Sequence, residues 1–298
     1  MSVKTAPTNR KCFIFMNLEA GGLERYVVFS GEKKQANGKN RTEVHATDMP
    51  HKQKIIIKDD PILLAKQAAK IFASIAKRSI GKRGRFVVAL SGGSTPRRMH
   101  KMLAKEPFIR IIPWGKTHIF WVDERCVPHD SPESNYGIAK KDFIDAVPIP
   151  ETHVHFITCE SSPRASAKEY QKKLNDFLYF DSKRPPRFDL IYLGMGADGH
   201  IASLFPGQKT LYEKQKLIVA VKGGDPNVKR ISMTLPLLNQ ARCIVFMITG
   251  KEKAKTVQTV LEDRKIGLPA QEIRPLNGRL TWLLDRRAAS LLSGDLHF

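Results

Sequence analysis

The 298-residue chain has few of the features that mark secreted, zinc-binding or membrane proteins. Its four cysteines lie tens of residues apart with no Cys-x-x-Cys pair, so they suggest neither a zinc knuckle nor a disulfide-dense scaffold. The longest apolar runs resemble residues 243–248, far short of the roughly 18–20 residues of a membrane-spanning helix. The N-terminus lacks a signal-peptide pattern. We therefore expect a soluble protein in a reducing compartment, with a cytoplasmic location.

Acidic residues are scarce relative to basic ones. The chain has 29 Asp and Glu against 50 Lys and Arg, a formal net charge of +21. Residues 1–53 hold 9 basic and 5 acidic side chains, which leaves 41 and 24 in residues 54–298, so the excess is spread along the chain. Such a field attracts anions. Nucleic acid, an acidic membrane surface and a phosphorylated metabolite all fit this charge, and composition does not choose among them.

The first 53 residues differ from the remainder in their sequence pattern. Two β-like runs at residues 13–16 and 26–29 flank Gly21-Gly22, which predicts a hairpin. The polar stretch at residues 31–51 predicts a mobile linker. We therefore divide the chain into an N-terminal extension, residues 1–53, and a catalytic domain, residues 54–298.

From residue 54 onward, strand and helix patterns alternate. Asp60 and Pro61 predict the start of an amphipathic helix. Buried strands are predicted at residues 55–57, 86–90, 119–122, 190–193, 217–221 and 244–248. This alternation predicts an α/β fold with a mostly parallel sheet flanked by helices. Ligands of such sheets bind beyond the carboxyl ends of the strands. The loops after Leu90, Val122, Leu193, Val221 and Ile248 are therefore expected to surround one pocket.

The turn after the second of these strands suits an anion. Gly92 and Gly93 lack Cβ atoms, so backbone N–H groups can approach a phosphate, and Ser94 and Thr95 add hydroxyl groups. A helix predicted to follow adds its positive N-terminal dipole. Residues 61–105 contain eleven Lys or Arg and no acidic residue. The alternative is a tight turn without a ligand, and the spacing is not that of a nucleotide P-loop.

Residues 194–199 match G-x-G-x-x-G directly after a strand, a weak signal for a dinucleotide. The strand after it ends in Lys222 rather than the acidic residue such a site needs. The loop carries Asp198 and His200, and an imidazole beside a carboxylate can act as a general base. His153 and His155 are interpreted as strand residues with no third metal ligand nearby in sequence.

Three further segments place charged groups near strand and helix ends. Asp123-Glu124-Arg125 follows a strand directly, and its alternative interpretation is a solvated loop with an internal ion pair. Arg230 and Lys253 are candidate binding residues only because of their location, since most of the 50 basic residues are expected to lie on the surface without such a role.

Together these loops resemble the family of glucosamine-6-phosphate isomerases and 6-phosphogluconolactonases. The resemblance extends from about residue 54 to about residue 285. It rests on LSGGSTP at residues 90–96, WVDER at 121–125 leading to Ser134-Asn135-Tyr136, GMGADGHIASLFPG at 194–207, Arg230 in RISMT and Lys253 in TGKEKA.

The resemblance implies a modified Rossmann-like sheet and hydrolysis of 6-phospho-D-glucono-1,5-lactone, the second step of the oxidative pentose phosphate pathway. It implies no organic cofactor and no metal, with functional coupling to glucose-6-phosphate dehydrogenase. On this basis His200 is the expected base, oriented by Asp198 or Asp123. The phosphate is expected at residues 92–95, with Arg230, Lys253 and Arg125.

Two other classes remain open from the sequence. An amino-sugar phosphate deaminase of the same fold would carry a Glu a few residues after the His and a Tyr after the Asp-Glu pair. This chain has Ser203-Leu-Phe-Pro-Gly207 and Arg125 there, which favours the lactonase. A sugar-phosphate sensor or nucleic-acid binder is the second class. With 8% aromatic residues and no RNP-like block, we expect neither specific nucleic-acid binding nor membrane binding.

Overall fold

The computed structural model describes residues 11–19, 22–30, 53–160, 162–178, 186–263 and 266–293. The strands in these ranges are β1 (Lys11–Glu19), β2 (Gly22–Ser30), β3 (Gln53–Lys58), β4 (Phe86–Leu90), β5 (Thr117–Trp121), β6 (Asp123–Arg125), β7 (Val154–His155), β8 (Leu190–Leu193), β9 (Ile218–Gly223), β10 (Val228–Met233), β11 (Cys243–Ile248) and β12 (Arg279–Asp285). The helices are α1 (Pro61–Arg83), α2 (Ser94–Leu103), α3 (Phe108–Ile111), α4 (Asn135–Asp142), α5 (Pro163–Leu178), α6 (Leu235–Leu238) and α7 (Ala254–Glu262). None of these helices is both long enough and apolar enough to cross a membrane.

A nine-stranded sheet organises the molecule, in the order β1-β2-β3-β12-β11-β8-β4-β5-β7. All pairs from β3 to β7 are parallel, which confirms the predicted α/β class. The central strands are apolar throughout because helices cover both faces, and every residue of β4 and β11 is buried. The carboxyl ends of β4, β8 and β11 therefore lie side by side at one edge.

Helix α1 shows how local sequence fixes an element. The Asp60 carboxylate accepts hydrogen bonds from the backbone N–H groups of Ile62 and Leu63, and Pro61 occupies the first turn. The helix ends at Gly84, whose φ of 76° is the left-handed conformation that glycine adopts without strain. Leu64, Ala68, Phe72 and related residues form its buried face.

A second, three-stranded sheet departs from the sequence prediction. Its order is β6-β10-β9 and both pairs are antiparallel. The run at residues 217–221 was expected in the parallel sheet, but only residues 224–227 separate β9 from β10. So short a connection forms a hairpin and cannot make a parallel crossover. Residues 123–125 are likewise a strand, and Asp123 and Glu124 are buried, so the solvated-loop alternative is wrong.

The N-terminal strands β1 and β2 form the predicted hairpin. They pair antiparallel from Lys11 opposite Ser30 to Glu19 opposite Gly22, and β2 also pairs antiparallel with β3. The predicted linker, residues 31–51, lies outside the described residues. The division into an extension and a catalytic domain stays a prediction.

Two groups of side chains, one of cysteines and one of histidines, come together in ways that their sequence spacing did not predict. Cys126 and Cys159, 33 residues apart, form a disulfide, whereas a reducing compartment predicts free thiols. The spacing of these cysteines does not indicate the pair, because the segments after β6 and β7 meet only in the folded chain. His153 and His155 do acquire a histidine neighbour, His118, whose ring centroid lies 3.8 Å from that of His153. The rings stack, and no group of metal-ligand geometry occurs in the described ranges.

His100 in α2 makes folding stability sensitive to acid. It is 3% exposed, stacks on Phe143 and has no hydrogen-bond partner for either ring nitrogen among the described residues. Burial lowers its pKa to about 4. The unfolded chain, with an ordinary pKa of about 6.5, therefore binds a proton that the folded chain does not as pH falls below that value. Stability is complete above about pH 6.5 and is lost progressively toward pH 4.

We predict that His100→Phe weakens this acid sensitivity. Between pH 7.5 and pH 5, the buried histidine costs the wild type about 2 kcal/mol of unfolding free energy that the variant retains. Urea unfolding of both proteins at the two pH values measures the difference. An equal loss of unfolding free energy in both proteins would show that His100 does not cause the acid sensitivity.

Candidate active site

A cleft of about 220 Å³ opens at the edge where the carboxyl ends of the parallel strands meet. The loops after β4, β8 and β11 contribute to it, together with β6 and β10 of the second sheet. The loop after Val221 does not line it, contrary to expectation, because β9 is the edge strand of the second sheet, on the far side of β10 from β6. Nine of the ten predicted site residues line the cleft: Gly92, Gly93, Ser94, Thr95, Asp123, Arg125, His200, Arg230 and Lys253. The tenth, Asp198, contacts His200 directly.

His200 and Asp198 form a hydrogen-bonded pair. His200 Nδ1 lies 2.6 Å from Asp198 Oδ1, and the same oxygen accepts the backbone N–H of His200 at 3.1 Å. Burial by itself raises the pKa of Asp198, but the hydrogen bonds from His200 and the charge of its ring lower it overall. Because an ionised carboxylate only accepts hydrogen bonds, Nδ1 carries the proton, and in the neutral ring Nε2 carries the lone pair. The imidazole is 33% exposed and packs against Phe205, so ligands can reach it.

Asp123 occupies a different position from Asp198. Its Oδ2 accepts the hydroxyl of buried Ser203 at 2.7 Å, and Asn135 Nδ2 lies 3.5 Å from its Oδ1. Ser203 in turn donates its backbone N–H to Ser232 Oγ. The sequence left open which carboxylate contacts the imidazole. In the structure Asp198 makes that contact, and Asp123 is held in a hydroxyl and amide network.

Arg125 and Arg230 lie directly opposite each other on β6 and β10. Arg125 Nη1 donates to the Glu133 carbonyl, and Arg230 donates to the carbonyls of Gly223 and Pro226. Neither arginine forms a salt bridge with a carboxylate within the described ranges, and the buried Nε of Arg125 has no hydrogen-bond partner there.

Like charges at paired positions repel each other unless an anion neutralises them. Burial lowers the pKa of Arg230, and the Arg125 charge lowers it further. Since both guanidinium groups line the cleft, they are suited to bind an anionic ligand.

The turn before α2 adds neutral donors to this charge. Gly93 precedes the helix with a φ of 100°, and no side chain caps the first turn. The exposed N–H groups and the helix dipole therefore favour an anion. Thr95 Oγ1 lies 2.9 Å from Thr249 Oγ1, which links this turn to the loop that carries Lys253. Buried Asp285 holds the same loop by accepting the Gly250 N–H at 3.1 Å.

Glu124 and Asn135 were not among the predicted site residues. Glu124 is buried and accepts four hydrogen bonds, from the backbone of Arg125, Asn135 and Tyr136 and the hydroxyl of Ser134. Burial raises its pKa, although these donors oppose the shift. It thereby fixes the start of α4 beside β6. Asn135 lines the cleft, and the signal that could have found it is the Ser134-Asn135-Tyr136 segment that follows the Asp-Glu-Arg motif.

The fold and the cleft define a class: an α/β protein with a cation-rich cleft where parallel strands end and an imidazole–carboxylate pair beside it. The chain belongs to the family of glucosamine-6-phosphate isomerases and 6-phosphogluconolactonases, whose model matches residues 59–282.

Relatives with known names are similar over most of the chain. The chain is 37% identical over 249 residues to the probable 6-phosphogluconolactonase 3, chloroplastic, of Oryza sativa subsp. indica, covering 80% of this chain and 76% of the relative. It is 38% identical over 234 residues to the 6-phosphogluconolactonase of Synechocystis sp., covering 77% and 94%. The solved structure of 6-phosphogluconolactonase from Trypanosoma brucei matches with a TM-score of 0.74 and 28% identity, covering 82% of this chain and 100% of that one.

We predict that Gly196→Ala breaks the contact between His200 and Asp198. A Cβ on Gly196 would lie 2.1 Å from His200 Nδ1 and 2.4 Å from Asp198 Oδ1, so the pair must separate. The ring ¹⁵N NMR signals of His200 should then lose their hydrogen-bonded pattern. Gly115→Ala is the matched control, since a Cβ there meets no atom within 4 Å. Unchanged His200 signals in Gly196→Ala would show that the pair is not packed against this glycine.

Proposed function

We propose that this chain hydrolyses 6-phospho-D-glucono-1,5-lactone to 6-phospho-D-gluconate. The observation that carries the proposal is the presence, in one cleft, of an imidazole with a free Nε2 and a set of cations without carboxylate partners among the described residues. The imidazole suits activation of water for attack on an acyl carbon, and the cations suit binding of a phosphate dianion. The names of the relatives support the same activity.

His200 is the proposed general base. Its Nε2 takes a proton from water while the water oxygen bonds to the lactone carbonyl carbon. The bond between that carbon and the ring oxygen then breaks, and the ring oxygen takes the proton from the imidazolium to become a hydroxyl. The acid that forms ionises and releases one proton to solvent. Asp198 keeps Nδ1 protonated and stabilises the transient cation, which makes it the orienting carboxylate in our proposal.

The tetrahedral intermediate places negative charge on the former carbonyl oxygen. Backbone N–H groups in a glycine-rich loop can stabilise such a charge, and one donor is commonly worth about 10²–10³ in rate. The N–H of Gly196 already donates to the His200 carbonyl at 2.9 Å. We therefore assign this role to the N–H groups of Gly194 and Met195, which line the cleft.

The phosphate is proposed to bind among Arg125, Arg230, Lys253 and the turn at residues 92–95. These groups line the same cleft as the residues that would donate to a reacting carbonyl, and charge-assisted hydrogen bonds contribute roughly 1.5–3 kcal/mol each. Binding the phosphate fixes the ring, so that binding energy orients the carbonyl toward His200.

The deaminase alternative receives less support from the cleft. Asp123 is the one carboxylate that lines it within the described ranges, and the segment after His200 contributes Ala202 instead of an acidic side chain. Release of ammonia from glucosamine 6-phosphate, with no acid release from the lactone, would reverse the assignment. The nucleic-acid alternative predicts tight binding that persists at physiological salt in a filter-binding assay.

The place of the reaction follows from its chemistry. A phosphorylated aldonolactone arises by oxidation of the sugar phosphate at C1, so a dehydrogenase such as glucose-6-phosphate dehydrogenase would supply the substrate in the oxidative pentose phosphate pathway. A cytoplasmic location stays a prediction of the sequence.

We predict that His200→Ala lowers turnover of the lactone by about 10²–10⁴, because the general base is lost. Acid release above the spontaneous rate is the measurement, with thermal unfolding as the check on folding. Asp198→Asn should lower turnover less, since Nε2 remains. Turnover at the wild-type rate in folded His200→Ala would refute the assignment of the base.

We also predict that Arg230→Ala and Lys253→Ala raise KM by about 10–100-fold, with smaller effects on kcat, because each removes a charge-assisted contact to the phosphate. Lys229→Ala and Lys251→Ala are matched controls, since both side chains are exposed neighbours that do not line the cleft. Steady-state kinetics separates the two parameters. A fall in kcat with KM untouched would count against phosphate binding by these residues.

A further inference from the structure

Asn135 is a buried polar residue of the cleft to which the proposed mechanism gives no role. It is the first residue of α4 and is 3% exposed. Its backbone N–H donates to Glu124 Oε1 at 2.8 Å, so the start of the helix is tied to β6. Asn135 is one of the residues that line the cleft, and its backbone position is fixed.

The hydrogen bonds of Asn135 determine how its amide is turned. Nδ2 lies 2.9 Å from the Asp123 carbonyl oxygen and 3.5 Å from Asp123 Oδ1. A carbonyl oxygen and a carboxylate can only accept, so the amide must present its NH₂ group to Asp123. Asn135 Oδ1 consequently faces away from Asp123.

Asn135 Oδ1 has no hydrogen-bond partner among the described residues, although it is buried. It lies against the diglycine turn, since a Cβ on Gly92 would be 1.7 Å from it. A buried carbonyl oxygen without a hydrogen-bond partner is unfavourable. Because Asn135 is one of the residues that line the cleft, a bound ligand can supply the missing donor.

Asp123, to which the amide is bound, is itself held in place. Its carboxylate accepts the Ser203 hydroxyl at 2.7 Å, and Ser203 is fully buried. Asn135 is thus fixed through both its backbone and its amide, and its free acceptor is pre-organised for one direction of approach.

We propose that Asn135 determines substrate specificity by accepting, at Oδ1, a hydrogen bond from one ring hydroxyl of the sugar lactone. This inference rests on the proposed function. An ionised phosphate has no proton to donate, and the carbonyl and ring oxygens of a lactone only accept. The ring hydroxyls at C2, C3 and C4 are the donors that such a substrate offers. A site built to bind a hydroxyl discriminates against the analogue that lacks it.

The test compares the parent lactone with its 2-deoxy, 3-deoxy and 4-deoxy analogues, all phosphorylated at C6. We expect wild-type protein to disfavour one analogue by about 10–100-fold in kcat/KM, the loss of one hydrogen bond to a buried acceptor. In Asn135→Ala this discrimination should shrink to a few-fold, while discrimination at the other two positions persists. Asn135→Leu keeps more of the side-chain volume and should give the same pattern if the alanine variant folds poorly.

Asn239→Ala is the matched control. That asparagine also makes side-chain hydrogen bonds to the backbone, at Glu272 and Arg274, but it does not line the cleft. It should leave the pattern of discrimination unchanged. An equal fall of kcat/KM for all four lactones in Asn135→Ala would overturn the proposal, because it would show that Oδ1 holds the attacking water or acts only in folding. Equal use of all four lactones by the wild type would overturn it as well. Absence of any turnover by wild-type protein is a different result, which refutes the proposed function itself.

Discussion

Two guanidinium groups that the fold places opposite each other determine the character of the cleft. Arg125 and Arg230 are cross-strand partners, and the fold supplies backbone carbonyls to position them but no carboxylate salt bridge in its described part. Electrostatics then favours an anion in the cleft. Lys253 and the uncapped start of α2 point to the same requirement. An anionic ligand would therefore neutralise the positive charge of these side chains.

The cleft brings together two kinds of polar group. Cations and free N–H groups come from β6, β10, the turn before α2 and the loop after β11, and they suit phosphate. Acceptors come from His200 Nε2 and Asn135 Oδ1, and they suit groups that carry a proton. Buried carboxylates position members of both sets, since Glu124 accepts the backbone N–H of Asn135 and Asp285 accepts the Gly250 N–H in the loop that leads to Lys253. A ligand with a dianionic end and a hydroxylated ring matches both sets.

Much of this arrangement could be predicted from sequence because its determinants are local. Apolar runs such as residues 86–90 identify buried parallel strands, and glycine-rich turns directly after them lie at the edge where ligands bind. What could not be predicted depends on contacts between distant segments. Three features form only in the folded chain. They are the antiparallel sheet that pairs Arg125 with Arg230, the contact of Asp198 rather than Asp123 with the imidazole, and the disulfide between Cys126 and Cys159. Asn135 lies in the Ser134-Asn135-Tyr136 segment that the resemblance includes, but its buried oxygen without a hydrogen-bond partner among the described residues is seen only in the folded chain.

The most direct test of the central claim is a crystal structure with 6-phosphogluconate bound. We expect the phosphate to contact Arg230, Lys253 and the start of α2. We expect the carboxylate, formed from the lactone carbonyl, to lie within hydrogen-bond distance of His200 Nε2. A phosphate bound at His200, or a ligand outside the cleft, would contradict the central claim.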